Sequence, residues 1–544
     1  SWRNAMLDVM NRPKIPNDAA VAIEYQINRH KSRVDFIVAG KNGKNQESAV
    51  IIELKQWSKI DFSYLPEHVL TFVGKKERNQ VHPAYQARSY ASLLEMYNEY
   101  VYETPVNIFS CAYLHNSNDH NVVNDSRYEE ALRSTPVFMH GERDKVVELI
   151  SENIKYGGGI ELLTKVDGSP TRPSLQLADA ISKMLQGKEA FVLIDDQKTV
   201  LEEIIFAFDK SKDGKKQVVI IEGGPGTGKS VVAINALSRL MGQRLNARYV
   251  TPNAAPRAVF EVKLKDAFKV GQIKELFSGS SSFTGLEENA YDILIVDEAH
   301  RLKLRTQYSK GGDNQIREII YASKTSVFFI DESQKVTWKD IGEIAEIERF
   351  AEAMQAEVIR LELNSQFRCN GSEGYLNWLD NTLSVREAEG NYFSDTEYDF
   401  KIFDNAKAMY DEIRLRNQAN NKSRMLAGYC WNWISKKNTK LYDFQVNEFG
   451  FKAQWNLESR GSAWIIDPGS IEDIGCIHTA QGLELEYVGV IIGPDFCIRD
   501  GQLTTNPEGR ATTDVSLHGF KKEFEENPKF AREKADKIIR NTYK

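Results

Sequence analysis

The chain of 544 residues has no C-x-x-C pair, and its five cysteines, Cys111, Cys369, Cys430, Cys476 and Cys497, are scattered. That spacing excludes a zinc ribbon and gives no disulfide framework, so a reducing, cytoplasmic compartment is the expectation. No apolar run reaches the ~18 residues that span a bilayer, and the start lacks a signal peptide's charged-then-apolar plan; no membrane partner is expected. Internal repeats and low-complexity tracts are also missing. Nor does one sign of charge dominate: 70 Lys and Arg against 77 Asp and Glu leave −7. Any nucleic acid would be held by local basic surfaces rather than by the field of the whole molecule.

What is present is an ordinary globular composition, 41% hydrophobic and 27% charged, long enough for about three domains of ~150 residues each. Residues 1–165 mix helical and strand patterns, and the turn-rich stretch "KVDGSPTRPS" at 165–174 reads as a linker over 166–174. Over 175–360 come the runs "QVVIIEG", "ARYVTPN", "YDILIVDEAH" and "TSVFFIDES". They lack polar alternation, the pattern of strands buried on both faces of a parallel sheet. "RMLAGYCW" and "EYVGVIIGPDF" imply a second α/β unit over 361–544, in which 500–530 reads as a long loop.

The sharpest chemical signal is "EGGPGTGKS" at 222–230, between an apolar strand pattern and a helical one. Gly223, Gly226 and Gly228 let the backbone turn its N–H groups towards phosphate oxygens, with Thr227 among them. Lys229 would reach the β- and γ-phosphates of ATP, and Ser230 would ligate Mg²⁺. In "DILIVDEAH" at 292–300, Asp297 ends a strand where it can hold the same Mg²⁺, and Glu298 is placed to polarise water. These two motifs together predict a nucleoside triphosphatase.

Further motifs resemble those of superfamily-one helicases. "DEAHRL" is similar to motif two, and "FFIDESQKV" at 328–336 to motif three, with Gln334 as the implied γ-phosphate sensor. "LELNSQFRC" at 361–369 resembles the N-Y-R motif, which implies Arg368 as an arginine finger. "CIHTAQGLELEYVGVIIG" at 476–493 resembles motif five, with His478, Gln481, Gly482 and Glu484 at matching positions. "YVTPNAAPR" at 249–257 resembles the DNA-contacting motif Ia, and "LIDDQK" would set Gln197 against adenine. From about residue 175 the set resembles bacterial superfamily-one ATPases related to the helicase part of the long Schlafen proteins. In that family a sixth motif with another phosphate-contacting arginine follows, beyond the "IIRNTYK" that stands at 538–544 here. Strand separation is therefore not assured by the motifs present.

The stretch "VIIELKQW" at 50–57 is an apolar strand pattern carrying Glu53 and Lys55 on one face. By itself such a strand reads as an edge strand with one solvated face. Upstream, "SRVDFIVAGKNGKNQES" offers a hairpin partner; if Val38 faces Val50, Asp35 falls opposite Glu53. Two carboxylates that close favour a bound Mg²⁺ or Mn²⁺. The arrangement resembles the PD-(D/E)xK nucleases, in which two acids hold metal and the lysine acts on the attacking water. Val34 stands where that family usually has proline. Likeness to the RecB-like branch implies Glu24, expected on a preceding helix, as a further ligand, and Gln86 and Tyr90, one helical turn apart, as positioning groups.

The resulting expectation is an α/β protein: an N-terminal PD-(D/E)xK nuclease domain followed by two RecA-like parallel-sheet motor domains. It would use ATP and Mg²⁺ or Mn²⁺ and act on DNA, single-stranded or unwound. The resemblance to single-protein nuclease-helicase immunity systems implies phage defence. The alternatives are a DNA-repair nuclease-helicase and a non-cutting, ATP-gated binding switch. Basic stretches at 257–274 and 300–305 would track phosphates or line a solvated face, and Trp431 and Trp433 would stack on bases or fill a core. Nothing in the sequence fixes the oligomeric state, the polarity of movement or the choice between DNA and RNA.

Overall fold

The computed structural model describes residues 2–26, 33–65, 67–74, 76–169, 193, 195–241, 245–265, 270–304, 313–364, 373–388, 399–436, 438–446 and 450–544. Arg368 and residues 170–174 of the linker stretch lie outside them. By internal packing the chain forms two units. The first takes residues 1–206 with 225–236 and 362–371; the second takes 207–224, 237–361 and 372–544.

The first unit opens with α1 (Trp2–Met10), followed by β1 (Ala20–Gln26), β2 (Arg33–Lys41) and β3 (Glu47–Lys55). Strands β4 (Ile60–Phe62), β5 (His68–Val73) and β6 (Lys76–Val81) make a small antiparallel sheet. After α2 (Pro83–Tyr97), β7 (Asn107–Leu114) and β8 (Val137–Met139) extend the main sheet, whose order is β1-β2-β3-β7-β8. The first three strands are antiparallel, and β3, β7 and β8 run parallel.

Val38 faces Val50, the register expected of the hairpin. β3 is nonetheless the centre of the sheet rather than its edge. On one face Val50, Ile52 and Leu54 join Phe36, Val38, Cys111 and Tyr113 in a buried cluster. On the other, Ala112 and Leu114, the β7 partners of Glu53 and Lys55, pack with Ala84 and Tyr85 of α2. Glu53 and Lys55 therefore lie on the face that α2 covers. The alternative of an edge strand with one solvated face does not hold, because β7 supplies a second neighbour from about 60 residues downstream.

Glu24 is on strand β1, not on a helix. β2 satisfies the backbone of "AVAIEYQ" by antiparallel pairing, so tertiary pairing prevails over the helical reading. Residues 500–530 are also more ordered than a loop. β20 (Phe496–Arg499) and β21 (Gln502–Thr505) form a hairpin around Asp500 and Gly501, both at positive φ, and a short helix spans Phe520–Glu526. The Asp-Gly pair is the sequence signal for such a turn.

The second unit holds a six-stranded sheet, ordered β11-β10-β12-β13-β9-β14. Its strands are β9 (Gln217–Gly223), β10 (Ala247–Val250), β11 (Phe277–Ser278), β12 (Tyr291–Val296), β13 (Ser323–Ile330) and β14 (Glu357–Leu363). From β11 through to β9 every neighbouring pair is parallel. Val218, Ile220, Leu294, Val296, Phe328 and Ile330 are buried in its core, as the unbroken apolar runs require. A second sheet, β16-β17-β18-β15-β19, is built from β15 (Ser423–Ala427), β16 (Phe444–Val446), β17 (Phe451–Trp455), β18 (Asp473–Gly475) and β19 (Tyr487–Ile491). Trp431 and Trp433 pack against this sheet's core, on Phe444 and Trp455 respectively. Mixed α/β layers with a large parallel sheet are the architecture of RecA-like motor domains. Among the described residues no helix is long and apolar enough to cross a membrane.

Candidate active sites

In the first unit the site is built on the β2–β3 hairpin. Asp35 lies one step beyond the Phe36–Ile52 pair, and its Oδ2 accepts the backbone N–H of Leu54 at 2.8 Å. Glu53 is buried, and its Oε1 meets Lys55 Nζ at 2.7 Å. Burial pushes the Asp35 carboxyl above its ordinary range, against the lowering pull of the Leu54 N–H and of Lys55. Gln86 and Tyr90, one turn apart on α2, are joined by a hydrogen bond from Gln86 Nε2 to the Tyr90 hydroxyl at 3.0 Å.

Glu24 falls opposite Asp35, since Ile23 faces Phe36 and Tyr25 faces Val34. Its φ of 48° breaks the strand locally, and its Oε2 takes Arg33 Nη1 at 3.4 Å, half-exposed. Glu24 thus acts on Asp35 by its charge, which raises the Asp35 pKa further. Among the described residues no group of three or more His, Cys, Asp or Glu side chains is arranged around a metal position. The donor set is two carboxylates. Such a set fits Mg²⁺, a hard cation that keeps several of its waters and needs few protein oxygens.

In the second unit β9 and β12 run parallel on either side of β13, so Gly223 and Val296 end at the same edge of the sheet. The phosphate loop leaves from the first strand and Asp297 from the second. Gly226 and Gly228 have φ of 80° and 82°, which a side chain would strain. Lys229, buried, and Ser230 open the helix Lys229–Met241; residues 225–236, which include them, belong by packing to the first unit. Gln197, on the helix Asp195–Ser211, donates from Nε2 to the carbonyl of Thr227 at 3.1 Å, so it holds the phosphate loop itself.

Asp297 accepts from the Tyr249 hydroxyl at 2.5 Å and from the Glu298 N–H at 2.9 Å. Glu298 sits in the left-handed region, φ 55°, which non-glycine residues seldom adopt. Its Oε2 lies 3.1 Å from His300 Nε2. Gln334 Nε2 donates to Asp331 Oδ2 at 2.8 Å.

The motif-five turn closes on these groups. The Gln481 amide bonds the Arg301 guanidinium and lies 3.4 Å from His300 Nε2, while its backbone carbonyl accepts from Asn253 Nδ2 at 3.0 Å. His478 Nδ1 is 3.3 Å from Arg301 Nη2, and burial pushes the imidazole pKa well down. A Cβ on Gly482 would stand 4.0 Å from Glu298 Oε1. Glu484 is exposed nearby in sequence. Arg301, read from sequence as part of a phosphate-tracking stretch, is buried and paired with Asp340 at 3.1 Å. Arg257 is likewise internal, donating to the carbonyls of Thr251 and Asn253. Their partners are distant in sequence or belong to the backbone, so no local pattern announces them.

A model of the Schlafen group 3 DNA/RNA helicase domain matches residues 216–544. The chain belongs to this family. The Schlafen group 3 assignment covers the six-stranded sheet, the sheet β16-β17-β18-β15-β19, the phosphate loop and the motif-five turn, and it makes this part of the chain a helicase-type ATPase domain. An uncharacterized protein of Saccharomyces cerevisiae is 24% identical over 399 residues, 65% of this chain and 83% of that protein. The Sulfolobus solfataricus SWI2/SNF2 ATPase core, solved in complex with dsDNA, is 10% identical over 63% of this chain and 93% of its own, with a TM-score of 0.21.

Proposed function

We propose that the chain is a metal-dependent DNA nuclease joined to an ATP-driven superfamily-one motor, with phage defence as its role. The observation that carries the nuclease reading is the convergence of Asp35, Glu53 and Lys55 on two adjacent strands beneath α2. Strand order and direction in the first unit suit this reading: an antiparallel hairpin bearing the acids, a covering helix, then a parallel strand. Phage defence rests on the resemblance of the nuclease-motor arrangement alone.

In the nuclease site Asp35 and Glu53 would hold the cation, and a bound Mg²⁺ would acidify water and offset phosphodiester charge. Lys55 orients the attacking water, and Gln86 with Tyr90 places Lys55 and the DNA backbone. In the motor, Lys229 would bind the β/γ-phosphates, Ser230 and Asp297 would hold the nucleotide's Mg²⁺, Gln197 and Gln334 would read the nucleotide, and Glu298 would polarise water. Glu484, in the motif-five stretch, would contribute to the nucleotide site. Arg368 would stabilise charge on the transferred phosphoryl group.

The test is incubation of the purified protein with plasmid and with single strands, with and without Mg²⁺ and ATP. Metal-dependent cleavage supports the reading. Binding without cleavage on every substrate replaces it with the ATP-gated switch. Plaque counts set against survival after DNA damage separate defence from repair.

A further inference from the structure

Near the start of the helix Asp195–Ser211 three consecutive residues contact the phosphate loop, Glu67 with Tyr85, and His68, all within the first unit. Gln197 holds the Thr227 carbonyl at 3.1 Å. Lys198 Nζ lies 2.5 Å from Glu67 Oε2 and 3.8 Å from the ring centroid of Tyr85 on α2. Both ends of the ion pair are largely buried, with 13% and 19% of the side chains exposed. Thr199 Oγ1 lies 3.0 Å from His68 Nε2.

These contacts end on the elements that carry the proposed nuclease groups. Tyr85 immediately precedes Gln86, whose amide holds Tyr90. Glu67 accepts through its backbone carbonyl from the N–H of His82, the N-cap of α2, at 2.9 Å. The His82 ring in turn stacks on Tyr128, centroids 4.1 Å apart, and the Tyr128 hydroxyl donates to the His68 carbonyl at 2.8 Å. Successive helix residues point about 100° apart, so one turn can hold the phosphate loop on one side and α2 on another. That turn is short and its side chains are pinned, so a displacement of Thr227 has little slack to absorb it.

We propose that Lys198 is a positioning residue through which nucleotide in the phosphate loop regulates the carboxylate site, by shifting α2 and with it Gln86 and Tyr90. This rests on the nuclease reading for its output, but the coupling is a property of the helix contacts. A nucleotide changes the site only by its differential affinity for two placements of the loop, and such coupling commonly amounts to about fivefold or more in an equilibrium. Lys198 faces the carboxylate of Glu67 and the π-face of Tyr85, partners that a charged, long side chain satisfies together.

The experiment compares wild type, Lys198→Met and Lys198→Arg in the full chain. Methionine keeps the length and the contact with Tyr85 but loses the charge; arginine keeps both. Single-strand cleavage is measured at fixed free Mg²⁺ without nucleotide and with a non-hydrolysable ATP analogue. Amide hydrogen exchange over Pro83–Tyr97 is followed under the same conditions. The wild-type rates should differ by about fivefold or more between the two conditions, Lys198→Met should bring that ratio to about one, and Lys198→Arg should restore it. ATP turnover should stay within about twofold in all three, because neither substitution alters Gln197 or a residue of the phosphate loop itself. The analogue should change exchange in α2 in wild type and not in Lys198→Met.

If no variant cleaves yet the analogue alters α2 exchange through Lys198, the coupling stands and the nuclease reading falls. If the analogue leaves α2 exchange unchanged in wild type, or if Lys198→Met keeps the wild-type response, the proposal is overturned.

Discussion

The Leu54 N–H donates to Asp35 Oδ2 at 2.8 Å, which ties the carboxylate of one strand to the backbone of the next, between Glu53 and Lys55. That bond and the Lys55 charge lower the Asp35 pKa, but burial outweighs them and the net shift is upward. A raised folded-state pKa means that the folded protein binds this proton more tightly than the unfolded chain does. The associated stability is present at low pH and lost as pH rises through the folded value. In the metal-free protein at neutral pH the ionised Asp35 is therefore a net cost. Asp35→Asn should raise the melting temperature in chelator at pH 7.5 and narrow the gap to wild type at pH 4. Mg²⁺ should stabilise wild type and not the variant, because binding to the folded state alone adds stability. Thermal melts at the two pH values, with chelator and with Mg²⁺, check both statements; an Asp35→Asn protein that melts lower at pH 7.5 would reverse the sign of the argument.

Glu53→Ala and Lys55→Ala should each reduce cleavage by about 10²-fold or more, the scale on which a positioned acid–base or metal-binding group acts. ATP turnover should remain within about twofold, since the phosphate loop and Asp297 share no side chain with the hairpin. Glu53→Ala also leaves Lys55 without the partner it meets at 2.7 Å, so Glu53→Gln is the gentler companion variant. Cleavage and ATPase assays on the same preparations decide it: equal loss of both activities would mean misfolding rather than a separate site.

Much of this was legible in the sequence, and the reasons differ by residue. The hairpin register followed from two-residue periodicity around a polar turn, which is local information. The phosphate loop and Asp297 were legible because their chemistry demands fixed spacing after a buried strand. Glu24 was misplaced because seven residues are too few to separate a strand period from a helical one. Arg257 and Arg301 were misread because a basic residue in a polar stretch looks solvated until its partners fold onto it. For Arg301 those partners, Asp340, His478 and Gln481, come from positions 39 to 180 residues downstream. The helix Asp195–Ser211 showed only its glutamine in the sequence, whereas its grip on Glu67, His68 and Tyr85 is purely tertiary.

Lys229→Ala should lower ATP turnover by about 10²-fold or more by removing a buried cation from the β/γ-phosphate position. Nucleotide binding should weaken as well, since the lysine also contributes in the ground state. Steady-state turnover and fluorescent-nucleotide titration measure the two separately. Substantial turnover in this variant would remove the phosphate-loop assignment.

Gln481 bonds Arg301, lies against His300, and through His300 is one contact away from Glu298. Its backbone also holds Asn253 of the motif Ia segment. The motif-five stretch is thus fastened both to Glu298, the residue proposed to polarise water, and to a segment expected to touch a nucleic-acid strand. Arg301→Ala would leave Asp340 buried without its cation and cost about 3–5 kcal/mol, enough to unfold the region rather than test it. Gln481→Ala is milder, about 1–3 kcal/mol for the polar partners it leaves unmet, and local. It should lower kcat for ATP in the presence of single-stranded DNA with little change in KM, because the loss falls on placement of Glu298 rather than on nucleotide binding. Arg301→Lys, which keeps the charge but not the fork, should give a similar loss. The double variant should be little worse than either alone, since both changes break one connection. DNA-stimulated turnover measured across the four-protein cycle provides the comparison. Strict additivity, or an unchanged kcat in Gln481→Ala, would reduce the contact to packing.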